Sequence, residues 1–333
     1  MNYENQYQKY RGKNILITGG LGFIGSNLAI KLVDLGAHVM VLDSMIDTYG
    51  GNLFNIEPIR EKVQVNISDM RDIFGLPYLL KNKDIIFNLA GQVSHIDSMT
   101  DPETDLAINC VSQLAFLQTA HQHNPAARIV FASTRQIYGR SKYLPVNEDH
   151  PINPTDINGI NKTAGEWYHK LYHDIYGMNT VALRLTNTFG PRQLMKHSKQ
   201  GFIPWFIRLL IEGKTIQLFG TGEQIRDINF VDDVVDAFLL SGIDDKAKGK
   251  VYNLGGEPIS LLDLVKRMIE VNAKGEYRLV PFPEEKKKID IGDFYGDYAK
   301  IKNELGWEPH ISLTEGLTKT FDYYRKHRSH YWS

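Results

Sequence analysis

The chain has 333 residues, 42% hydrophobic and 23% charged, with a formal net charge of −1 and a single cysteine, Cys110. That length allows about two domains with a sizeable core, while the balanced charge excludes a nucleic-acid binder that works through a basic surface. One cysteine excludes an intrachain disulfide, and no apolar run approaches the ~18 residues of a membrane span. The polar stretch 1–13 is unlike a secretory signal, so a cytoplasmic protein is expected, with residues 1–12 as a loose extension.

In chain order, residues 14–18 read as an apolar strand that runs into Gly19, Gly20, Gly22 and Gly25 and then into a helix over 24–35. Ile24, Leu28, Leu32 and Leu35 share one side of that helix, and Gly36 stands where it would end. The glycines fit a dinucleotide loop. One permits the tight turn, one lets the backbone approach a pyrophosphate, and one lets the helix pack closely on the strand. The N–H groups of the first helical turn, at Gly22, Phe23 and Ile24, would then face the phosphates. A second strand, 38–42, leads to Asp43, about 20 residues beyond the loop, where an acidic side chain binds the adenosine ribose. A carboxylate there repels a 2′-phosphate, so NAD is expected rather than NADP.

Further strands are expected at 63–66, 85–89, 128–132 and 180–185, with helices at 106–121 and 159–176. Buried strands alternating with helices predict an α/β fold, a Rossmann-type doubly wound parallel sheet. Ligands of such sheets bind beyond the carboxyl ends of the strands, which singles out Asp43, Asp69, the segment Ala90 to His95, the segment Ser133 to Gln136, and Thr186 and Asn187.

The second half is less regular. Helices are expected at 201–213, with Pro204 near the start, and at 231–240, 261–271, 300–305 and 313–324. A turn is expected at 220–222, and the charge run 284–288 reads as a solvated loop. The resulting division places the dinucleotide domain at 13–185, with 226–272 returning to it. A smaller C-terminal substrate-binding domain then comprises 186–225 and 273–333. No metal site is expected.

Seven segments, in order, carry a family pattern. They are the loop 18–26, Asn88-Leu89-Ala90-Gly91-Gln92-Val93, and Phe131-Ala132-Ser133-Thr134-Arg135-Gln136-Ile137-Tyr138-Gly139. Next come the stretch 183–192, Arg226-Asp227-Ile228-Asn229-Phe230-Val231-Asp232-Asp233, and Val251-Tyr252-Asn253-Leu254-Gly255. The last is Leu305-Gly306-Trp307-Glu308-Pro309. Together they resemble the extended short-chain dehydrogenase/reductase family in its nucleotide-sugar epimerase/dehydratase branch, similar to UDP-glucose 4-epimerases.

The resemblance implies a tightly held NAD that is reduced and reoxidised within one turnover of a nucleoside-diphosphate sugar. It places Asp69 near the adenine and Leu89, Ala90, Gln92, Asn109 and Ser133 along the cofactor. It assigns Asn187 and Arg226 to the substrate diphosphate, though Arg226 could instead form a salt bridge with Asp227 or Asp232. It also implies a homodimer formed through helices 106–121 and 159–176.

The catalytic set of this family is a Ser/Thr, a Tyr and a Lys, with Tyr and Lys four positions apart. Thr134 and Lys162 fit, Thr134 toward the sugar hydroxyl and Lys162 toward the nicotinamide ribose. The tyrosine position holds Asn158. An asparagine amide can give or accept a hydrogen bond but cannot act as a general base. Tyr138 and Lys142 repeat the spacing, yet Tyr138 belongs to the segment after the fifth strand.

Three explanations are open: another proton acceptor, a substrate that supplies its own acid or base, or a site that binds without turnover. The leading alternative acceptor is His95, at the ligand rim, because imidazole titrates in the physiological range. A hydrogen-bonded lining role is its plainer reading. Asp97, Tyr138 or a water polarised by Thr134 and Lys162 are further candidates.

Dehydratases of the family carry Asp-Glu after the threonine, and decarboxylases a Glu at the second of these positions. Here Arg135 and Gln136 stand there. Elimination needs a proton donor for the leaving hydroxyl, so an epimerase is expected ahead of a dehydratase or decarboxylase. Arg135 would either touch a carboxylate or phosphate substituent or lie on the surface. Asp290 stands where relatives often place a diphosphate-binding arginine, with Lys287 or Lys288 as the candidate replacements.

Overall fold

In a computed structural model covering residues 3–46, 48–284, 287 and 289–332, seven strands lie parallel in one sheet. They are β1 (Asn14–Thr18), β2 (His38–Asp43), β3 (Val63–Ile67), β4 (Ile85–Asn88), β5 (Arg128–Thr134), β6 (Asn179–Leu185) and β10 (Val251–Asn253). Their order is β10-β6-β5-β4-β1-β2-β3, with Leu16 of β1 paired to Met40 on one side and Ile86 on the other. The order in which strands are added reverses between β1 and β4, which opens a crevice beyond their carboxyl ends.

Alternation along β1 explains the two layers of helices. Ile15 and Ile17 pack with Leu28 and Leu32 of α2 (Phe23–Asp34) and Val234 and Phe238 of α9 (Val231–Ile243). Leu16 faces the other way, into a cluster with Phe116 and Leu117 of α6 (Ser112–His123) and Tyr172 of α7 (Ile157–Tyr176). Successive side chains of a strand point to opposite faces, so both faces are apolar and both are covered.

A second sheet holds β9 (Ile225–Phe230) between parallel β7 (Asn187–Phe189) and antiparallel β11 (Glu257–Ser260). A separate parallel pair joins β8 (Ile216–Phe219) to β12 (Tyr277–Val280). Helices α8 (Phe202–Ile211) and α10 (Leu261–Asn272) pack here, with the helix Leu313–His327 against them. These strands are only three to six residues long, too short for a periodicity to show.

Three expectations change. The stretch 1–12 is not a loose extension: from Tyr3 onward it is packed, with Tyr3, Tyr7 and Tyr10 buried. The Tyr7 hydroxyl donates to Asp236 at 2.7 Å and that of Tyr10 to the Leu239 carbonyl at 2.6 Å, strapping the segment to α9. Of the stretch 226–272, α9 and β10 join the large sheet, whereas β9, β11 and α10 stay with the small one. The helix expected at 106–121 begins earlier, at α5 (Pro102–Leu106), and passes through a wide π turn at Ala107–Val111 before α6. Such a turn re-aims side chains, and Asn109 within it is fully buried. The charge run 284–288 lies partly outside the described residues, as does Lys288. No described helix is long and apolar enough to cross a membrane.

Candidate active site

The carboxyl ends of β1, β2, β4, β5 and β6 border one cleft of about 360 Å³. At its β1 end, the Thr18 hydroxyl accepts the N–H groups of Leu89 and Ala90 at 3.1 Å each and donates to Asn88 at 2.9 Å. This ties the loops after β1 and β4 together. Gly19 turns through φ +70° against the Ala90 backbone, and a Cβ on Gly25 would collide with the Gly19 carbonyl oxygen. Only glycines allow α2 to start this close to β1. Among the described residues no side chain caps the N-terminus of α2 at Gly22, so its first-turn N–H groups are available to an anion.

Asp43 ends β2 on the rim of this cradle. Its carboxylate accepts the N–H of Leu21 at 3.0 Å and of Met45 at 2.9 Å. Burial nevertheless pushes its pKa up. Asp69 also lines the cleft, where Arg71 grips it at 2.6 Å and draws its pKa down. Gly22, Phe23, Ile24, Leu89, Ala90 and Ser133 line the cleft, although the Ser133 hydroxyl is donated backward to Glu166. Tight glycines, an uncapped helix end and a rim carboxylate fit a dinucleotide.

Gln92 and Asn109 stand behind the wall rather than on it. The Asn109 amide donates to the Gln92 carbonyl at 2.9 Å and to Asp105 Oδ2 at 3.1 Å, so both residues brace the loop after β4. Asn158 borders the cleft, but its amide points into the same network. It donates to the Gln92 carbonyl at 2.8 Å and to Asp105 Oδ2 at 2.9 Å. Asn161 donates to Asp105 Oδ1 at 2.8 Å, so three amides enclose this buried carboxylate. One turn on, Lys162 is buried with its ammonium 3.2 Å from the Ala132 carbonyl and over the Phe131 ring. Burial lowers its pKa to about 8, with Asp105 pulling the other way. Thr134 closes this end, its hydroxyl accepting the Gln136 N–H at 3.2 Å.

His95 opens α4 (His95–Thr100) and lines the cleft. Its Nδ1 is hydrogen-bonded to Asp156 Oδ2 and its Nε2 to the Gln136 amide nitrogen. A carboxylate on Nδ1 and an amide donor on Nε2 select one tautomer, with the proton on Nδ1 and the lone pair on Nε2. Asp156 is also the N-cap of α7, with Oδ1 accepting the Gly159 N–H at 2.7 Å. Burial pushes the Asp156 carboxyl up, but the His95 contact outweighs it and the pKa ends below the ordinary range.

Two other candidate acceptors are occupied elsewhere. Tyr138 is fully buried, bonded to Arg184 and, at 2.7 Å, to Asn253, and burial raises its pKa to about 12. Asp97 is paired to Lys199 at 2.7 Å.

Arg135 does not lie on the surface. Its guanidinium sits over Phe294, 5.1 Å from the ring centre, and reaches Asn187 Oδ1 only at 3.5 Å. Its Nη1 is buried without a hydrogen-bond partner among the described residues. Burial, reinforced by the charge of Arg226, lowers its pKa to about 10.

Arg226 is absent from the cleft lining. It donates to the carbonyls of Ile225 and Gly292 and pairs with Asp290 at 3.3 Å, not with Asp227 or Asp232. Asp290 thus pairs with the cation that was expected at the substrate diphosphate. Asp105 and Asp156 were missed from sequence. The Asp-x-x-Gly start of α7 signals a cap, but nothing local links residue 156 to residue 95.

The family model described as GDP-mannose 4,6 dehydratase matches residues 16–320. A putative UDP-glucose 4-epimerase of Methanocaldococcus jannaschii is 34% identical over 93% of this chain and 97% of its own length. A UDP-glucose 4-epimerase of Mycolicibacterium smegmatis is 32% identical over 93% and 98%. Among solved structures, DesIV from Streptomyces venezuelae, a dTDP-glucose 4,6-dehydratase with NAD bound, superposes with a TM-score of 0.87 at 28% identity, covering 96% of this chain and 99% of its own. The glycine cradle, the Thr134–Lys162 end and these likenesses along the whole chain agree: it belongs to the GDP-mannose 4,6 dehydratase family, among the extended short-chain dehydrogenases/reductases that comprise nucleotide-sugar epimerases and dehydratases.

Proposed function

We propose that the chain is an NAD-dependent nucleotide-sugar epimerase in which His95, held by Asp156, takes the proton that the family's tyrosine would take. One observation carries this reading. His95, Thr134 and Lys162 line the same cleft, while the two residues after Thr134 offer no carboxylate for elimination.

The glycine loop, the start of α2, Asp43 and Lys162 would hold NAD, which supplies a reversible hydride acceptor for a carbon of the sugar ring. The Thr134 hydroxyl orients the sugar hydroxyl. That hydroxyl displaces the Gln136 amide from His95 Nε2 and passes its proton there. Asp156 fixes the ring and stabilises the imidazolium, as a buried carboxylate does for a catalytic histidine. The ammonium of Lys162, near the developing alkoxide, favours the deprotonated sugar oxygen. After the sugar turns, His95 returns the proton to that oxygen from the opposite presentation, so protons balance over the turnover. Asn187 would orient the diphosphate.

Two other readings each have one supporting observation. A dehydratase is favoured by His95, whose imidazolium could protonate a leaving hydroxyl. Binding without turnover is favoured by Asn158, whose amide is spent on Asp105 and Gln92.

The test is to offer UDP-, dTDP-, GDP- and CDP-sugars to the NAD-loaded protein and follow products by NMR. A sugar inverted at one ring carbon is expected. A 4-keto-6-deoxy product would establish a dehydratase, and no turnover of any sugar would leave the binding reading.

A further inference from the structure

We propose that the sugar taken by this cleft itself carries a carboxylate, and that Arg135 is the residue that receives it. The inference rests on the nucleotide-sugar reading and names its substrate class.

A guanidinium has five N–H donors in a fixed plane and stays charged. Among the described residues Arg135 has one side-chain hydrogen-bond contact, to Asn187 at 3.5 Å, a weak one, and its buried Nη1 has none. Taking such a charge out of water is costly unless it is paired. The nearby carboxylates already have partners. Asp156 holds His95, Asp290 holds Arg226, and Asp227 accepts from Thr186 and, at 2.9 Å, from the Gly296 N–H. Phe294 lies under the guanidinium, its ring centre 5.1 Å away, and the edge of a guanidinium suits a planar, forked anion.

Two oxyanions of a nucleotide sugar could fill this role, a carboxylate on the sugar or the diphosphate. The neighbours of Arg135 in the chain favour the first: it follows Thr134 and precedes Gln136, which touches His95, the residues set toward the sugar hydroxyl, while its own contact to Asn187 reaches toward the diphosphate side. A carboxylate bridging to Arg135 would also settle the sugar against Thr134 and His95.

The NAD-loaded protein is first titrated calorimetrically with UDP, dTDP, GDP and CDP. The nucleotide that binds is then compared as its glucose and glucuronic acid diphosphate esters. The account expects the glucuronate to bind at least tenfold more tightly than the glucose ester. It expects Arg135→Met to remove that preference while changing affinity for the nucleotide and the glucose ester less than twofold. Arg135→Lys, which keeps charge but loses the fork, should retain part of the preference.

Equal wild-type affinity for the two sugars overturns the inference, and that comparison needs no variant to fold. Arg135→Met weakening nucleotide, glucose and glucuronate alike also overturns it, and assigns Arg135 to the diphosphate. Binding of none of the four nucleotides overturns the nucleotide-sugar reading and this inference with it.

Discussion

Asn158 donates to Asp105 Oδ2 at 2.9 Å, and this contact decides what the asparagine does. Asn158 is part of the wall of the cleft. With Asn109 and Asn161 it supplies the donors that let a carboxylate be buried beside the cofactor cleft. Removing one donor leaves Asp105 under-satisfied, which costs ~1–3 kcal/mol. Asn158→Ala should therefore lower the urea midpoint by a corresponding amount. Asn158→Tyr should destabilise at least as much and not raise turnover, because the ring must displace the amide network. A tyrosine variant with raised turnover and unchanged stability would contradict this account of the position.

The His95–Asp156 pair should behave as one unit. General acid–base catalysis by a positioned side chain contributes ~10²–10⁴-fold. His95→Gln should lower kcat at least a hundredfold while the amount of bound NAD, read by absorbance after release, stays unchanged. Asp156→Asn should also lower kcat, by loss of the tautomer that presents the Nε2 lone pair, and should shift the acid limb of the pH profile. His95→Gln with full activity would remove His95 as the proton acceptor.

Lys162 gives the pH dependence its sign. Burial lowers its pKa to about 8 in the folded chain, against 10.5 when unperturbed. If the ammonium is the active form, kcat falls as pH rises through about 8. Stability moves the other way. Between about 8 and 10.5 the unfolded chain holds a proton that the folded chain has lost, so this group makes the fold more stable as pH rises. At pH 7 its full cost is present. Lys162→Met should thus be more stable than the parent at pH 7, by on the order of 3 kcal/mol, and the gap should narrow by pH 10. Urea midpoints at both pH values check this.

Much of this arrangement was legible from sequence and some was not. The limits of β1 and the other buried strands follow from apolar runs bounded by glycine and polar residues. The cradle follows because a glycine's lack of a side chain is itself the signal. Asn158 was visible as a departure, but not where its amide would point, since Asp105 meets it only after α5 and α7 pack. The same holds for His95 and Asp156. For Arg135 the sequence leaves both an anion contact and the surface open, because a lone arginine does not reveal Phe294 beneath it. The tyrosines of the opening segment were overlooked because polar neighbours hid their common face toward α9.

The outer face of α6 and α7 carries the fourth prediction. Trp167, Leu171 and Ile175 recur every four residues on α7 and are 59%, 50% and 66% exposed. Val111 and Leu114 are exposed at the neighbouring start of α6. Apolar side chains gathered in this way mark a protein interface, and the account expects a homodimer through these helices. Trp167→Glu with Leu171→Glu should halve the mass measured by light scattering while leaving the far-UV spectrum unchanged. A monomeric parent protein would contradict it.

The central claim is tested most directly by turnover in D2O, read by proton NMR on the sugar that proves to be the substrate. The account predicts a diastereomer inverted at one ring carbon, with hydrogen retained at that carbon and no solvent deuterium at any other. A 4-keto-6-deoxy product carrying solvent deuterium, or deuterium at the inverted carbon, would contradict it.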